Sequence, residues 1–288
     1  MSEPEEKNNI DGGQDTGHVW DDDLRDLTNQ PPKWWLYGLY ASGLWVVGYL
    51  VLYPAIPLAS THTKGLLGWT AIKEYKQDKQ AIDTVREPYE KHIREMDAAA
   101  ILADKELSNY VTRSAKVLFG DTCAPCHGAG GQGNPGFPVL ADDDWLYGGS
   151  IQHIVETIAG GRHGMMPAHG SNLSAHEIDD LSKHVLAMST GSEYAPGKEV
   201  FLRSDCVACH GADAKGNTDI GSTNLTDSVW RFSGTLEAIK YTITHGVNDT
   251  SDAKTRAATM PNFGTSGRLS ETEIKKLAVY VHELGGGK

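Results

Sequence analysis

The chain has 288 residues, 39% of them apolar, and a net charge of −12. That charge is uneven, −6 over residues 1–33 and −5 over residues 114–190, and nowhere does it form the clustered basic face of a nucleic-acid binder. The length suits about two folded domains.

Residues 1–33 are acidic and polar, the reverse of a basic leader followed by an apolar core, so no cleavable signal peptide is expected there. With Gly12-Gly13 and Asp21-Asp22-Asp23, the stretch reads as a disordered or loosely held tail. From Trp34 to Tyr53 there is no charge at all. Twenty residues at a rise of ~1.5 Å span ~30 Å, the thickness of a bilayer core. Trp34, Trp35 and Tyr37 at one end and Tyr49 and Tyr53 at the other fit interfacial belts, and Pro54 and Pro57 close the helix. A membrane-spanning helix is predicted over residues 34–57. Gly38, Ser42, Gly43 and Gly48 leave notches where a partner helix can approach closely.

Residues 58–113 form a connector of balanced charge. Trp69 to Ala100 is rich in helix formers and should be helical, broken or bent at Pro88. Ile82, Val85, Tyr89, Ile93 and Met96 make a stripe at helical spacing. It suits a partner or the domain surface, and a plain spacer is the preferred reading.

All four cysteines fall in two pentapeptides, Cys123-Ala124-Pro125-Cys126-His127 and Cys206-Val207-Ala208-Cys209-His210. C-x-x-C-H is the attachment signature of a c-type haem: the two thiols add to the porphyrin vinyl groups and the adjacent imidazole ligates the iron. A redox dithiol would be expected near a βαβ pattern, and none surrounds either copy. A four-cysteine zinc site more often has its knuckles ~15–20 residues apart, whereas Cys123 and Cys206 are 83 positions apart. Two covalent haem c groups are predicted. Such attachment takes place on the outer, periplasmic side, where thiols can be managed. The flanking charges of the membrane helix give no useful orientation, so this decides it, with the acidic tail in the cytoplasm.

The two motifs head an internal repeat. Lys116-Val117-Leu118-Phe119 and Lys198-Glu199-Val200-Phe201 precede them, and Trp145 and Trp230 follow, each leading into a helix at Ile151 or Leu236. Each copy closes with a capping-box start, Ser174-x-x-Glu177 or Ser270-x-x-Glu273. Apolar periodicity comes next, Ile178, Leu181, Val185 and Leu186 in one copy and Ile274, Leu277, Val279 and Val281 in the other. The fold class is all-α: one N-terminal transmembrane helix, then two tandem cytochrome c domains, residues 114–190 and 196–288. An electron-carrying haem iron with one histidine commonly takes a thioether opposite it. Met166-Pro167 and Met260-Pro261 occupy matching places, and the proline fixes the backbone beside the sulfur. Met165 competes with Met166, but only Met166 precedes a proline. His163, His169 and His245 lie near these loops as rival ligands. Trp145 and Trp230 are placed to pack on a haem edge or propionate, or simply in the core.

With these features in hand, the chain resembles the dihaem subunit III of cbb3-type cytochrome c oxidases. The resemblance runs through Pro32-Lys33-Trp34-Trp35, Leu50-Val51-Leu52-Tyr53-Pro54, Gly136-Phe137-Pro138 with Leu140-Ala141-Asp142 and Trp145, Gly161-Arg162, and Met166-Pro167-Ala168 with Gly170. It implies His127 and His210 as proximal ligands and Met166 and Met260 as distal ones. It further implies a haem-copper oxidase complex in a bacterial inner membrane, where this non-catalytic subunit passes electrons from a donor c-type cytochrome towards an oxygen-reducing, proton-pumping subunit. The chain departs from longer members by having one membrane helix, and it inserts residues around Asp249 to Thr259. A free-standing dihaem shuttle shares the same haems but needs no tight membrane partner. A dihaem peroxidase would need an open iron, which the two Met-Pro loops argue against.

Overall fold

The protein is described by a computed structural model covering residues 15–21, 24–28 and 30–287. It divides into two compact units, Met1–Val85 and Arg86–Lys288. In the first unit, β1 (Asp15–Trp20) and β2 (Leu24–Leu27) form an antiparallel hairpin. Asp21 turns it with a φ of +47°, and Trp20 Nε1 donates to Asp26 at 3.2 Å. The described part of the expected loose tail is therefore a hairpin, and residues 1–14 lie outside the described residues.

Helix α1 (Lys33–Leu52) follows Pro32, whose fixed φ suits a helix entry. None of its residues is buried, and its mean hydropathy of 1.4 makes it a candidate membrane span. It stops ahead of Pro54. Its last carbonyls are satisfied by the turn after it, with Leu66 N on Val51 O at 3.0 Å and Leu67 N on Leu52 O at 3.1 Å. Gly65 makes that approach possible, because a Cβ there would lie 2.4 Å from Leu52 O at a φ of +67°.

Helix α2 (Ala71–Glu95) runs through Pro88 without a break. Its stripe divides: Ile82 and Val85 are exposed, whereas Ile93 is fully buried and Tyr89 and Met96 pack on the core. The end of α2 is thus part of a folded core rather than spacer. Tyr89 stacks on Tyr110 with ring centroids 4.5 Å apart, and Glu90 accepts from Tyr110 Oη and Lys276 Nζ, both at 2.7 Å.

The second unit continues with α3 (Ala98–Ala103), α4 (Lys105–Thr122), α5 (Ala124–His127), α6 (Ile151–Gly160), α7 (Ala175–Met188), α8 (Ala195–Arg203), α9 (Cys206–His210), α10 (Leu236–His245) and α11 (Glu271–His282). Side-chain caps open many of these helices. Ser150 and Thr235 cap α6 and α10, and reciprocal capping boxes at Ser174/Glu177 and Ser270/Glu273 start α7 and α11.

The packing of these helices is crossed with respect to the sequence copies. Helix α11, from the second copy, packs against α4 and α6 of the first, while α7, from the first copy, packs against α8 and α10 of the second. Two cores result. One joins Val111, Ala115 and Phe119 of α4 and Ile154 and Ile158 of α6 to Ile274, Leu277 and Val281 of α11. The other joins Ile178, Leu181 and Val185 of α7 to Val200, Phe201, Ile239 and Ile243. The last helix of each copy completes the other copy's core. Apolar burial holds it there, at about 1.5–3 kcal/mol per fully buried aliphatic or aromatic side chain, together with ion pairs such as Lys276–Glu90 at 2.7 Å and Lys240–Asp179 at 2.8 Å.

Candidate haem sites

Each Cys-x-x-Cys-His motif forms one short helix, α5 or α9, ending on a glycine with a φ of +79°, Gly128 or Gly211. The loops after them follow one plan. Gly133 N donates to His127 O at 2.7 Å and Gly216 N to His210 O at 2.9 Å. Asn134 Nδ2 reaches Cys126 O, and Ser222 Oγ reaches Cys209 O.

These loops fix the imidazoles. His127 Nδ1 lies 3.0 Å from Pro138 O, and His210 Nδ1 lies 2.9 Å from Thr223 O. A carbonyl only accepts, so Nδ1 carries the proton and Nε2 presents its lone pair. Burial pulls both histidines below the ordinary value, outweighing those hydrogen bonds, and so favours the neutral ligating form. Burial has the opposite effect on the thiols. Cys123 is pushed up to about 11, with Cys126 adding to the effect, and Cys206 is also raised. A raised thiol is a poor nucleophile, which disfavours a redox dithiol. Among the described residues, no group of three or more His, Cys, Asp or Glu is placed to hold a metal ion by itself. Two half-buried thiols and one neutral imidazole on a single turn fit a porphyrin and its iron.

The methionines follow the crossed helices. Met166 lines a cavity of about 310 Å³ with His210, Cys206 and Cys209, although it belongs to the first copy. Met260, from the second copy, packs with Cys123, Leu140 and Trp145 against the first core. Met165 is 67% exposed and Met166 half-buried.

The crossing is built from backbone. Arg162 and Met260 exchange hydrogen bonds of 3.0 and 2.9 Å, and Met166 and Val247 exchange two of 2.9 Å. Each Met-Pro loop then docks on a helix end of the other copy. Phe263 N and Gly264 N donate to Ile158 O and Ala159 O, as His169 N and Gly170 N donate to Ile243 O and Thr244 O. Gly161 and Gly246 let the chains touch: a Cβ would lie 2.5 Å from Met260 O in one case and 2.3 Å from Met166 O in the other.

The inserted residues 249–259 serve this crossing. Asn248 donates to Gly164 O at 2.7 Å and Ala258 O at 2.9 Å, and Asp249 Oδ2 accepts from Ala168 N at 2.7 Å. Nothing in the repeat pattern announced that role. Of the rival histidines, His163 Nδ1 is engaged by Thr259 and His245 Nδ1 by Asp252. His169 is buried and lines the second cavity, where the matching residue of the other loop is Phe263. Trp145 and Trp230 pack on the first and second cores, each with a glycine, Gly149 or Gly234, against its indole.

Three stretches of the chain match known protein families. Residues 12–60 match the N-terminal domain of cytochrome oxidase-cbb3, FixP. Residues 111–185 match cytochrome c oxidase, cbb3-type, subunit III, and residues 194–285 match cytochrome c. A protein of Azorhizobium caulinodans named cbb3-type cytochrome c oxidase subunit FixP is 39% identical over 290 residues, covering 96% of this chain and 94% of its own length. Its namesake in a Bradyrhizobium species is 36% identical over the full length of both chains. A CcoP subunit of Cereibacter sphaeroides is 36% identical over 95% of each.

Proposed function

The chain belongs to the FixP/CcoP family of cbb3-type cytochrome c oxidase subunits, and from that premise we propose that it is the membrane-anchored, two-haem electron-transfer subunit of such an oxidase. It carries electrons rather than reducing oxygen. The observation that carries the two-haem reading is the duplication of the whole site, with its motif, oriented imidazole and Met-Pro loop. His127 and Met260 would hold one iron, and His210 and Met166 the other. Cys123 and Cys126, and Cys206 and Cys209, are the thioether anchors.

A haem c so held would supply a one-electron carrier whose iron is ligated by protein residues alone. The chain's own residues do the rest. The Pro138 and Thr223 carbonyls hold each imidazole in its ligating tautomer. The Met-Pro loops supply a soft donor that favours the ferrous state. Leu181, Val185, Phe201 and Ile243 give the second site an apolar wall.

In sequence we divide the chain into a cytoplasmic tail (1–33), a membrane helix (34–57), a helical connector (58–113) and two cytochrome c copies (114–190 and 196–288). Attachment chemistry supports haem sites on the periplasmic side of a bacterial inner membrane. The partners are the other subunits of the haem-copper oxidase and a donor c-type cytochrome.

Gentle detergent extraction, purification through this chain, and a reduced-minus-oxidised spectrum with metal analysis test the reading. Two haem c per chain, with b-type haem, copper and oxygen uptake from a c-type donor, is the expected result. Haem c alone, with no copper or oxygen uptake, would make the chain a free-standing shuttle instead.

A further inference from the structure

We propose that Arg231 is a positioning residue shared by the two sites: its guanidinium binds a carboxylate of the porphyrin held at His210, and its charge raises the potential of that site and, more weakly, of the site at His127. The proposal rests on the haem assignment above and adds a residue that neither the motifs nor the repeat singled out.

Arg231 follows Trp230 in the segment leading to α10, and it spans from one site to the other. Its carbonyl accepts from Gly136 N at 2.7 Å, and its Nε donates back to Gly136 O at 3.2 Å. Gly136 is two residues from Pro138, whose carbonyl orients His127. The clamp therefore ties Arg231 to the loop that sets the first site. On its other side Arg231 lines the second cavity with His210, Cys206, Cys209 and Met166, and it is the only lysine or arginine to do so among the described residues.

Its charge forms no ion pair with protein, although Asp205 and Asp227 line the same cavity. No carboxylate lies within ion-pair distance of it among the described residues, and Nε makes its only side-chain hydrogen bond there. Burial holds its pKa below the ordinary arginine value. A desolvated guanidinium without a counter-charge is costly, and its planar fork suits a carboxylate. Arg231 lies only at the edge of contact with an aromatic face, 5.9 Å from the Phe232 ring centroid, whereas the neighbouring arginines sit closer to their rings. Arg162 lies over Tyr147 and bonds Thr157 Oγ1, and Arg256 lies over Phe232 and Tyr241 and bonds Thr242 Oγ1. A c-type porphyrin carries two propionates, which makes it the anion expected beside Arg231. The clamp on Gly136 holds this charge beside the loop whose Pro138 carbonyl orients His127, so its field reaches the first site as well.

The test is an optical redox titration of the purified oxidase carrying wild type, Arg231→Gln or Arg231→Lys, with haem c per chain measured on the same samples. Spectral components are assigned with Met166→Ala and Met260→Ala. Arg231→Gln should make the His210-site haem about tenfold harder to reduce at a fixed poise, which is about 59 mV for a one-electron couple. The His127-site haem should move less in the same direction, and Arg231→Lys should keep most of the wild-type value. Haem-loaded Arg231→Gln with both midpoints unchanged would overturn the proposal. So would a lysine variant shifted as far as the glutamine one, since that marks a packing role only. If Arg231→Gln does not assemble, Arg231→Lys decides: near-wild-type midpoints support the proposal, and lost haem or a full shift refutes it. Wild type lacking two haem c per chain would instead refute the haem assignment.

Discussion

Gly246→Ala probes the crossing of the two copies without replacing any proposed ligand. Gly246 ends α10 with φ +67° and ψ −170°, a region almost closed to other residues, at a cost of about 1–3 kcal/mol. The new Cβ would lie 2.3 Å from Met166 O, about 1 Å short of van der Waals contact. Backbone cannot yield as a flexible side chain does, so the Met166 strand must retreat. That strand and Val247 exchange two hydrogen bonds of 2.9 Å, and losing them costs about 1 kcal/mol each. The loss of stability should total about 3–5 kcal/mol. With it, the Met166 sulfur should leave its iron in part of the population. Thermal unfolding by circular dichroism, together with the high-spin fraction of the ferric protein by electron paramagnetic resonance, reads both effects. One haem of the two should gain high-spin character. Full stability with both haems low-spin would refute the crossing.

Further predictions follow from the two cores and their charges. Leu277→Ala in α11 and Leu181→Ala in α7, at fully or almost fully buried positions, should each cost about 2–5 kcal/mol. The first should loosen the His127 site and the second the His210 site, as judged by which spectral component turns high-spin on mild heating; the opposite assignment would contradict the packing. Asp144 is pushed up to about 6 by burial and by Asp227 and Asp142. A carboxyl whose pKa is raised by folding favours the folded state below about pH 4 and loses that contribution as pH rises past 6. Asp144→Asn should therefore be neutral near pH 4 and stabilising by about 1–2 kcal/mol at pH 8, after halving the shift for partial exposure; denaturant titrations at both pH values check it, and equal effects at both would refute it. The −5 charge of residues 114–190 should speed capture of a basic donor cytochrome, so stopped-flow rates should fall steeply with salt, and salt-independent rates would remove that role.

Much of this architecture was legible in the chain. The uncharged run from Trp34 to Tyr53 became α1, and the capping-box sequences at Ser174 and Ser270 became the starts of α7 and α11. The two C-x-x-C-H motifs and the Met-Pro pairs were readable as candidate ligand sets because their chemistry is local. Which methionine lies beside which motif was not. Helices α7 and α11 present almost the same apolar pattern, so either fits either core by periodicity alone, and only the backbone exchange at Arg162, Met166, Val247 and Met260 decides. The insertion at 249–259 looked like an edge feature in sequence, yet in space it supplies Asp249 to the Met166 loop, with Asn248 just before it clasping Gly164. Pro88 failed as a breaker because its helix is held downstream by Tyr89 and Ile93 on the first core. Arg231 carried no motif at all; its meaning comes from the cavity it faces.

The crossed assembly is tested most directly in protein carrying Cys123→Ser and Cys126→Ser, so that only the second motif retains covalent haem. Into that background Met166→Ala and Met260→Ala are introduced separately, and the spin state of the remaining haem is measured. Met166→Ala should turn it high-spin, because Met166 shares a cavity with His210, while Met260→Ala should leave it low-spin. A high-spin haem with Met260→Ala and a low-spin one with Met166→Ala would contradict the account, returning each methionine to the motif of its own sequence copy.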